Sequence, residues 1–273
     1  MGMSEIGSSS ATIKSSDIPG HRLAVATNRR DGIVVLVLVL APIGLAISLV
    51  VAGLAAVAGW QMLRGVPVAL PSRASLQFYG LLAYAAGSWI DVAVAWLWSS
   101  RRSWRGDIFL FRRLSWSALA TSIVAFLLAV YGAPAMLHGL SHLTGGPGSG
   151  VRINFHDAQS VAVYLLLFVV TTPLSEEILY RGLLVAWFRR LGWRDSAICL
   201  AGSLIFGANH VLPLGFAFGA VMVVFGGLLF TMRLRYDSLA PAWLVHLLFN
   251  AQPFLLLPLT TWLPPAWHPG SLS

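Results

Sequence analysis

Seven apolar runs constrain this chain more than any other feature. Each is near the roughly 20 residues that a helix needs to cross a bilayer. They cover about Ile33–Trp60, Leu76–Trp98, Ser115–Leu137, Val161–Phe188, Ser196–Val211, Leu214–Met232 and Leu239–Leu259. The fifth is the shortest, and only Val211-Leu-Pro213 separates it from the sixth, which predicts a tight turn or a re-entrant pair there. The chain is 57% hydrophobic and 10% charged, far from the about 25% charged residues of soluble domains. The expected fold is an all-α polytopic transmembrane helical bundle of about seven spans.

The basic residues orient that bundle. Fourteen of the eighteen Lys and Arg fall in alternate segments, 1–32, 99–114, 189–195 and 233–238. Only Arg64, Arg73 and Arg152 lie in the others, and Arg181 sits inside a run. The positive-inside rule therefore puts the N-terminus in the cytoplasm. The net charge of +8 suits a membrane surface or nucleic acid, but this alternation favours the membrane, and no nucleic-acid partner is expected. Residues 1–31 are polar and Ser-rich and read as a disordered cytoplasmic tail. The apolar run that follows is too long for a cleaved signal sequence. Residues 32–153 carry the first three runs, 154–260 the remaining four, and 261–273 form a C-terminal tail. The lone Cys199 excludes an internal disulfide and reads as a small core residue.

The fourth run contains Thr171-Thr-Pro-Leu-Ser-Glu-Glu-Ile-Leu-Tyr-Arg-Gly182. Two of the three glutamates in the chain stand here, Glu176 and Glu177. An ionisable side chain at membrane depth costs roughly 2.5 kcal/mol or more. One reading starts an interfacial helix at Pro173, with an ordinary acidic first turn. Against it, Ile178–Phe188 is apolar all round except for Arg181, the pattern of a buried helix. A kinked span follows, in which Pro173 frees a backbone carbonyl about one turn before the acids. Consecutive helical residues project about 100° apart, so the two carboxylates have different tasks. Glu177 and Arg181 form a favourable i, i+4 pair; Glu176 is left as the free base.

Two later runs carry polar sets at i, i+4: Phe206 with His210, and His246 with Asn250. Singly, a buried His or Asn is usually a helix–helix hydrogen bond. Counted along the helices from the run ends at about 1.5 Å per residue, Glu176, His210, His246 and Asn250 share a depth near the bilayer midplane. A carboxylate, two imidazoles and an amide together can hydrolyse an amide: Glu176 takes a proton from water, a histidine positions it, and His plus Asn hold the oxyanion. Glu176, His210 and His246 also suit zinc, which at catalytic sites takes three protein ligands and water. Spacing does not choose between the two.

Glu176-Glu-x-x-x-Arg181, Phe206-x-x-x-His210 and His246-x-x-x-Asn250, in this order in successive runs, resemble the three signature motifs of the CPBP family. These are the CAAX-protease and bacteriocin-processing intramembrane proteases, also called Abi proteins. The resemblance covers roughly residues 160–255. It implies a (metallo)endopeptidase in which Glu176 and His210 activate water and His246 and Asn250 stabilise the oxyanion. Glu177, Arg181 and Phe206 would support them, and a zinc ion is an open implication. The expected partners are the bilayer and a membrane-associated protein or peptide substrate, and the expected location is a bacterial plasma membrane. A proton-coupled transporter using the same acid and imidazoles, or a non-catalytic immunity or scaffold protein, is the alternative. Two lesser readings concern Asp91, placed at a depth to meet Arg181 or else facing a polar interior or a water-filled cavity, and His138 with His142, taken as surface residues beside the Gly145–Gly150 loop.

Overall fold

A computed structural model describes residues 29–69, 71–100, 102–144 and 158–260. The tail before Arg29, the Gly145–Gly150 loop, the His142 side chain and the C-terminal tail lie outside the described residues. Described residues form helices and no strands, as the apolar runs require. We number them α1 (Arg29–Leu63), α2 (Arg73–Ser100), a single turn α3 (Arg105–Ile108), α4 (Trp116–Thr144), α5 (158–190), α6 (Asp195–Leu214), α7 (Phe216–Tyr236) and α8 (Leu239–Thr260). Six are long and apolar enough to cross a membrane; the seventh expected run forms α8, which has 22 residues and so spans about 33 Å. The protein is an all-α polytopic membrane bundle.

Two boundaries differ from expectation. Helix α1 begins at Arg29, so residues 29–31, expected in the disordered tail, belong to the first helix. The turn between the fifth and sixth runs is not at Val211-Leu-Pro213: α6 continues through Pro213 to Leu214, and Gly215 at φ 89° makes the break. Glycine adopts that backbone without a Cβ clash.

Helix α5 is the centre of the bundle. It passes Pro173 without ending and alternates α winding with π winding over Tyr164–Thr171 and Glu177–Leu184. Residues 175–186 are buried without a break, and α1, α2, α3, α4, α6, α7 and α8 all contribute side chains to the core around them. The interfacial-helix reading of this stretch is thereby excluded. Gly182 allows the approach of α3, because a Cβ there would overlap the Ile108 carbonyl. Helices α6 and α7 cross in the same way. A Cβ on Gly207 would stand 2.7 Å from the Gly219 carbonyl oxygen, and one on Gly219 3.0 Å from that of Gly207. In lipid, where apolar burial gives helices little reason to associate, such close backbone contact supplies the packing energy.

One aspartate fastens the arginine-rich end. Asp237 ends α7 in a left-handed conformation (φ 43°), which Asp tolerates better than most residues. Its Oδ1 accepts hydrogen bonds from Arg189 (2.7 Å) and Arg233 (2.8 Å), and its Oδ2 from Arg112 (2.8 Å). Backbone bonds complete the fastening: Leu239 N–H donates to Leu110 O (2.9 Å), and Arg112 N–H to Ser238 Oγ (3.0 Å). Asp107 makes a second clasp on Arg190 at 2.8 Å.

Partial burial pushes the Asp237 carboxyl up, but the Arg189 and Arg233 guanidiniums outweigh it and hold its pKa at about 2, against about 3.9 for a free Asp. A pKa lower in the folded state means stability that is present above about pH 4 and is lost as pH falls toward about 2. Thermal unfolding in detergent between pH 7 and pH 2 should show that acid loss in the wild type, and Asp237→Asn should be less stable at neutral pH with a shallower acid limb.

Candidate active site

Proline 173 has no N–H to donate, and its effect is visible one turn back. Where the helix widens to π winding, Thr172 N–H bonds to Leu167 O, five residues earlier. In that register the residue-173 amide would bond to Phe168 O. Asn250 of α8 supplies the missing donor, its Nδ2 lying 2.9 Å from Phe168 O. The hydroxyls of Thr171 and Thr172 reach Leu166 O and Leu167 O in the same five-residue pattern. The carbonyl expected to be freed by Pro173 thus becomes the point where α8 is pinned to α5. Widened helical turns of this kind are frequent at functional sites.

The two glutamates are both buried, and they bracket one imidazole. Glu177 Oε1 accepts from His246 Nδ1 at 2.8 Å, while Glu176 Oε2 stands 3.7 Å from His246 Nε2. The carboxylates, expected to aim at different points, both reach the same ring, one at each of its nitrogens. Glu177 also contacts Arg181 NH1 at 3.3 Å, the expected i, i+4 pair. With Nδ1 donating to a carboxylate, the position and tautomer of the His246 ring are set, and Nε2 is the nitrogen turned to Glu176.

Arg181 is fully buried. Besides Glu177 it has the Gly226 carbonyl at 3.4 Å, and the rings of Phe206 and Phe230 lie 4.2 and 4.5 Å from its guanidinium carbon. Those ring faces attract the cation where water cannot. Phe206 is the spacer of the whole arrangement. Its ring centre is 4.6 Å from that of His210 and 6.1 Å from that of His246, and Tyr180 meets it edge-on at 5.0 Å.

His210 Nδ1 bonds to Phe206 O at 2.7 Å, which leaves Nε2 for water or a substrate. The ring is half-buried and within electrostatic reach of Glu176 and His246. Next to it, Asn209 donates to Val39 O (3.1 Å) and to Tyr180 Oη, tying α6 to α1 and α5. Glu176, Glu177, Arg181, Phe206, His210 and His246 are therefore brought together, and Asn250 joins them through the α5 backbone.

Two expectations fail and one residue is new. Asp91 does not meet Arg181, which is already paired with Glu177; the Asp91 carboxylate is buried in α2, and its Oδ2 has no hydrogen-bond partner among the described residues. Glu176 is not free of protein partners, because Tyr84 Oη of α2 donates to its Oε1 at 2.8 Å. A sequence signal for Tyr84 exists: Tyr84, Ser88 and Asp91 make a polar stripe at i, i+4, i+7 within an apolar run. His138 is exposed on α4, away from the site. Cys199 is partly buried, its Sγ near Gly227 O and Thr231 Oγ1.

The expected zinc ligands fit the metal incompletely. Two imidazoles with Nδ1 tied back and a carboxylate are suitable donors. Among the described residues, however, no three His, Cys, Asp or Glu side chains close on a point that would hold a metal ion.

Residues 158–252 match the family model described as type II CAAX prenyl endopeptidase Rce1-like. No curated protein and no solved structure matches the chain. The matched segment contains all three motifs and leaves out α1 to α4.

Breaking a buried ion pair from one side strands the other charge, at a cost of about 3–5 kcal/mol. Glu177→Gln should therefore lower unfolding stability by about that much, measured by thermal or urea denaturation in detergent. A Glu177→Gln, Arg181→Met double variant should recover part of the loss.

Proposed function

We propose that this chain, which over residues 158–252 belongs to the CAAX-protease (CPBP) family, hydrolyses a peptide bond of a membrane-associated substrate with a water activated by Glu176. The family match supports an intramembrane endopeptidase of CAAX type. The observation that carries the mechanism is the separation of 3.7 Å between Glu176 Oε2 and His246 Nε2. It is too long for a direct hydrogen bond and short enough for one water, or a substrate oxygen, to touch both atoms.

The roles follow from the donors and acceptors each group has left. Glu176 Oε2 takes a proton as the water oxygen attacks the scissile carbonyl carbon. His210, its Nδ1 tied to Phe206 O, accepts the water's second hydrogen at Nε2 and aligns it. The carbonyl becomes an oxyanion. When His246 is protonated on both nitrogens, it donates to the oxyanion from Nε2–H, and the Glu177 carboxylate on Nδ1–H offsets the imidazolium charge. Asn250 uses one amide hydrogen on Phe168 O and has a second for the oxyanion. When the C–N bond breaks, Glu176 returns its proton to the leaving amine, so atoms and charge balance.

An apolar recess of about 500 Å³ opens between Trp89 and Trp96 of α2, Phe109 and Ile178. It adjoins α5 one residue beyond Glu177 and has the chemistry to receive the apolar part of a lipid-modified or membrane-inserted substrate. The prenyl substrates in the family's description are consistent with it.

The test uses full-length protein in phospholipid vesicles. A fluorogenic farnesylated CAAX peptide is the first probe, and membrane peptides of cells expressing wild type or Glu176→Gln are compared as the second. Glu176→Gln and His210→Ala should each reduce cleavage by about 10²–10⁴-fold while thermal unfolding stays within a few degrees of wild type. Undiminished cleavage by Glu176→Gln would remove the mechanism, and proton-coupled transport lost in the same variant would favour a transporter.

A further inference from the structure

The motif-bearing helices α5, α6 and α8 supply a base and two imidazoles, yet among the described residues the one hydrogen-bond donor on Glu176 comes from elsewhere. Tyr84 lies on α2, 92 positions earlier and outside the family-matched segment. Its Oη donates to Glu176 Oε1 at 2.8 Å. The other oxygen, Oε2, is buried and has no hydrogen-bond partner among the described residues. A carboxylate held by one oxygen has a fixed plane and one oxygen free to act. Without that anchor, the terminal torsion of Glu is broad, and the Arg181 guanidinium, already paired with Glu177 through NH1, is a second cation within the same buried cluster.

Resting on the peptidase reading above, we propose that Tyr84 is the positioning residue of the general base. It fixes Glu176 Oε1 so that Oε2 faces His246 Nε2 and the attacking water. Tyr84 keeps its proton throughout; the water's proton goes to Oε2. Its own setting is built for the task. Ser88 Oγ, one turn along α2, donates to the Tyr84 carbonyl at 2.8 Å, and α2 packs on α5 with Ser88, Asp91 and Val92 buried. By this account the N-terminal helices complete the active site as well as anchoring it.

Misplacing a reacting group by about 1 Å can cost about 100-fold. Tyr84→Phe removes one oxygen and keeps the ring, so the prediction is specific: kcat falls by about 10- to 100-fold, KM changes by less than about 2-fold, and thermal unfolding moves little. Substrate binding does not use the hydroxyl, hence the split. Isotope-edited infrared spectra of protein carrying ¹³C-labelled glutamate, without substrate, give a second readout. The Glu176 carboxylate stretch, identified by its loss in Glu176→Gln, should shift in Tyr84→Phe and be unmoved in Tyr79→Phe, a change on the exposed face of the same helix. Wild-type kcat in Tyr84→Phe, a KM-only effect, or an unshifted carboxylate band would each overturn the proposal while leaving the peptidase intact. A wild-type protein with no peptidase activity would overturn the proposed function, and this role with it.

Discussion

A guanidinium with no access to water sits at the centre of this bundle. Arg181 must be neutralised where it stands, because an unpaired charge at that depth is worth several kcal/mol against folding. Glu177 provides the countercharge, Phe206 and Phe230 provide ring faces, and Gly226 provides a carbonyl. These groups come from α5, α6 and α7, so pairing the cation fixes how the three helices meet. The same Glu177 oxygen that faces Arg181 also holds His246 of α8. The neutralising carboxylate is thereby also the one that orients His246, so stability and the proposed chemistry share one residue.

The rest of the molecule keeps that cluster dry and in register. Asp237 and Asp107 tie the arginine-rich ends of α5 and α7 to the segment around α3. Arg233 links the two regions directly, its Nε donating to Arg181 O at 3.0 Å. The reciprocal Gly207–Gly219 contact brings α6 close enough to α7 for Phe206 to lie beneath Arg181 and beside His210. At the opposite side, Asn250 closes the carbonyl that Pro173 leaves open. Each device satisfies a polar group that lipid could not.

Much of this could be read from residue order. Apolar run lengths gave the helices, and the improbability of Glu176, Glu177 and Arg181 in such a run marked the site. The i, i+4 spacing gave the Glu177–Arg181 pair, because local helical geometry is nearly fixed. Contacts between distant helices were not legible in the same way. Tyr84 touches Glu176 across 92 residues, and its one mark in the sequence, the polar stripe it shares with Ser88 and Asp91, gives a face of α2 without naming the partner. Asp91 was misassigned for the same reason: equal depth does not mean the same helix face. The end of α6 was misread at Pro213 because a proline can be tolerated near a helix end, whereas the positive φ of Gly215 is what breaks the chain direction.

The central claim is that Glu177 fixes the proton of His246 on Nδ1 and so turns Nε2 toward Glu176. Nitrogen NMR of protein labelled with ¹⁵N-histidine in detergent or nanodiscs, with His246→Gln for assignment, reads this directly. The account predicts a protonated Nδ1 in His246 that is hydrogen-bonded in wild type and loses that bond signature in Glu177→Ala. A His246 with its lone pair on Nδ1, or a spectrum indifferent to Glu177, would contradict it.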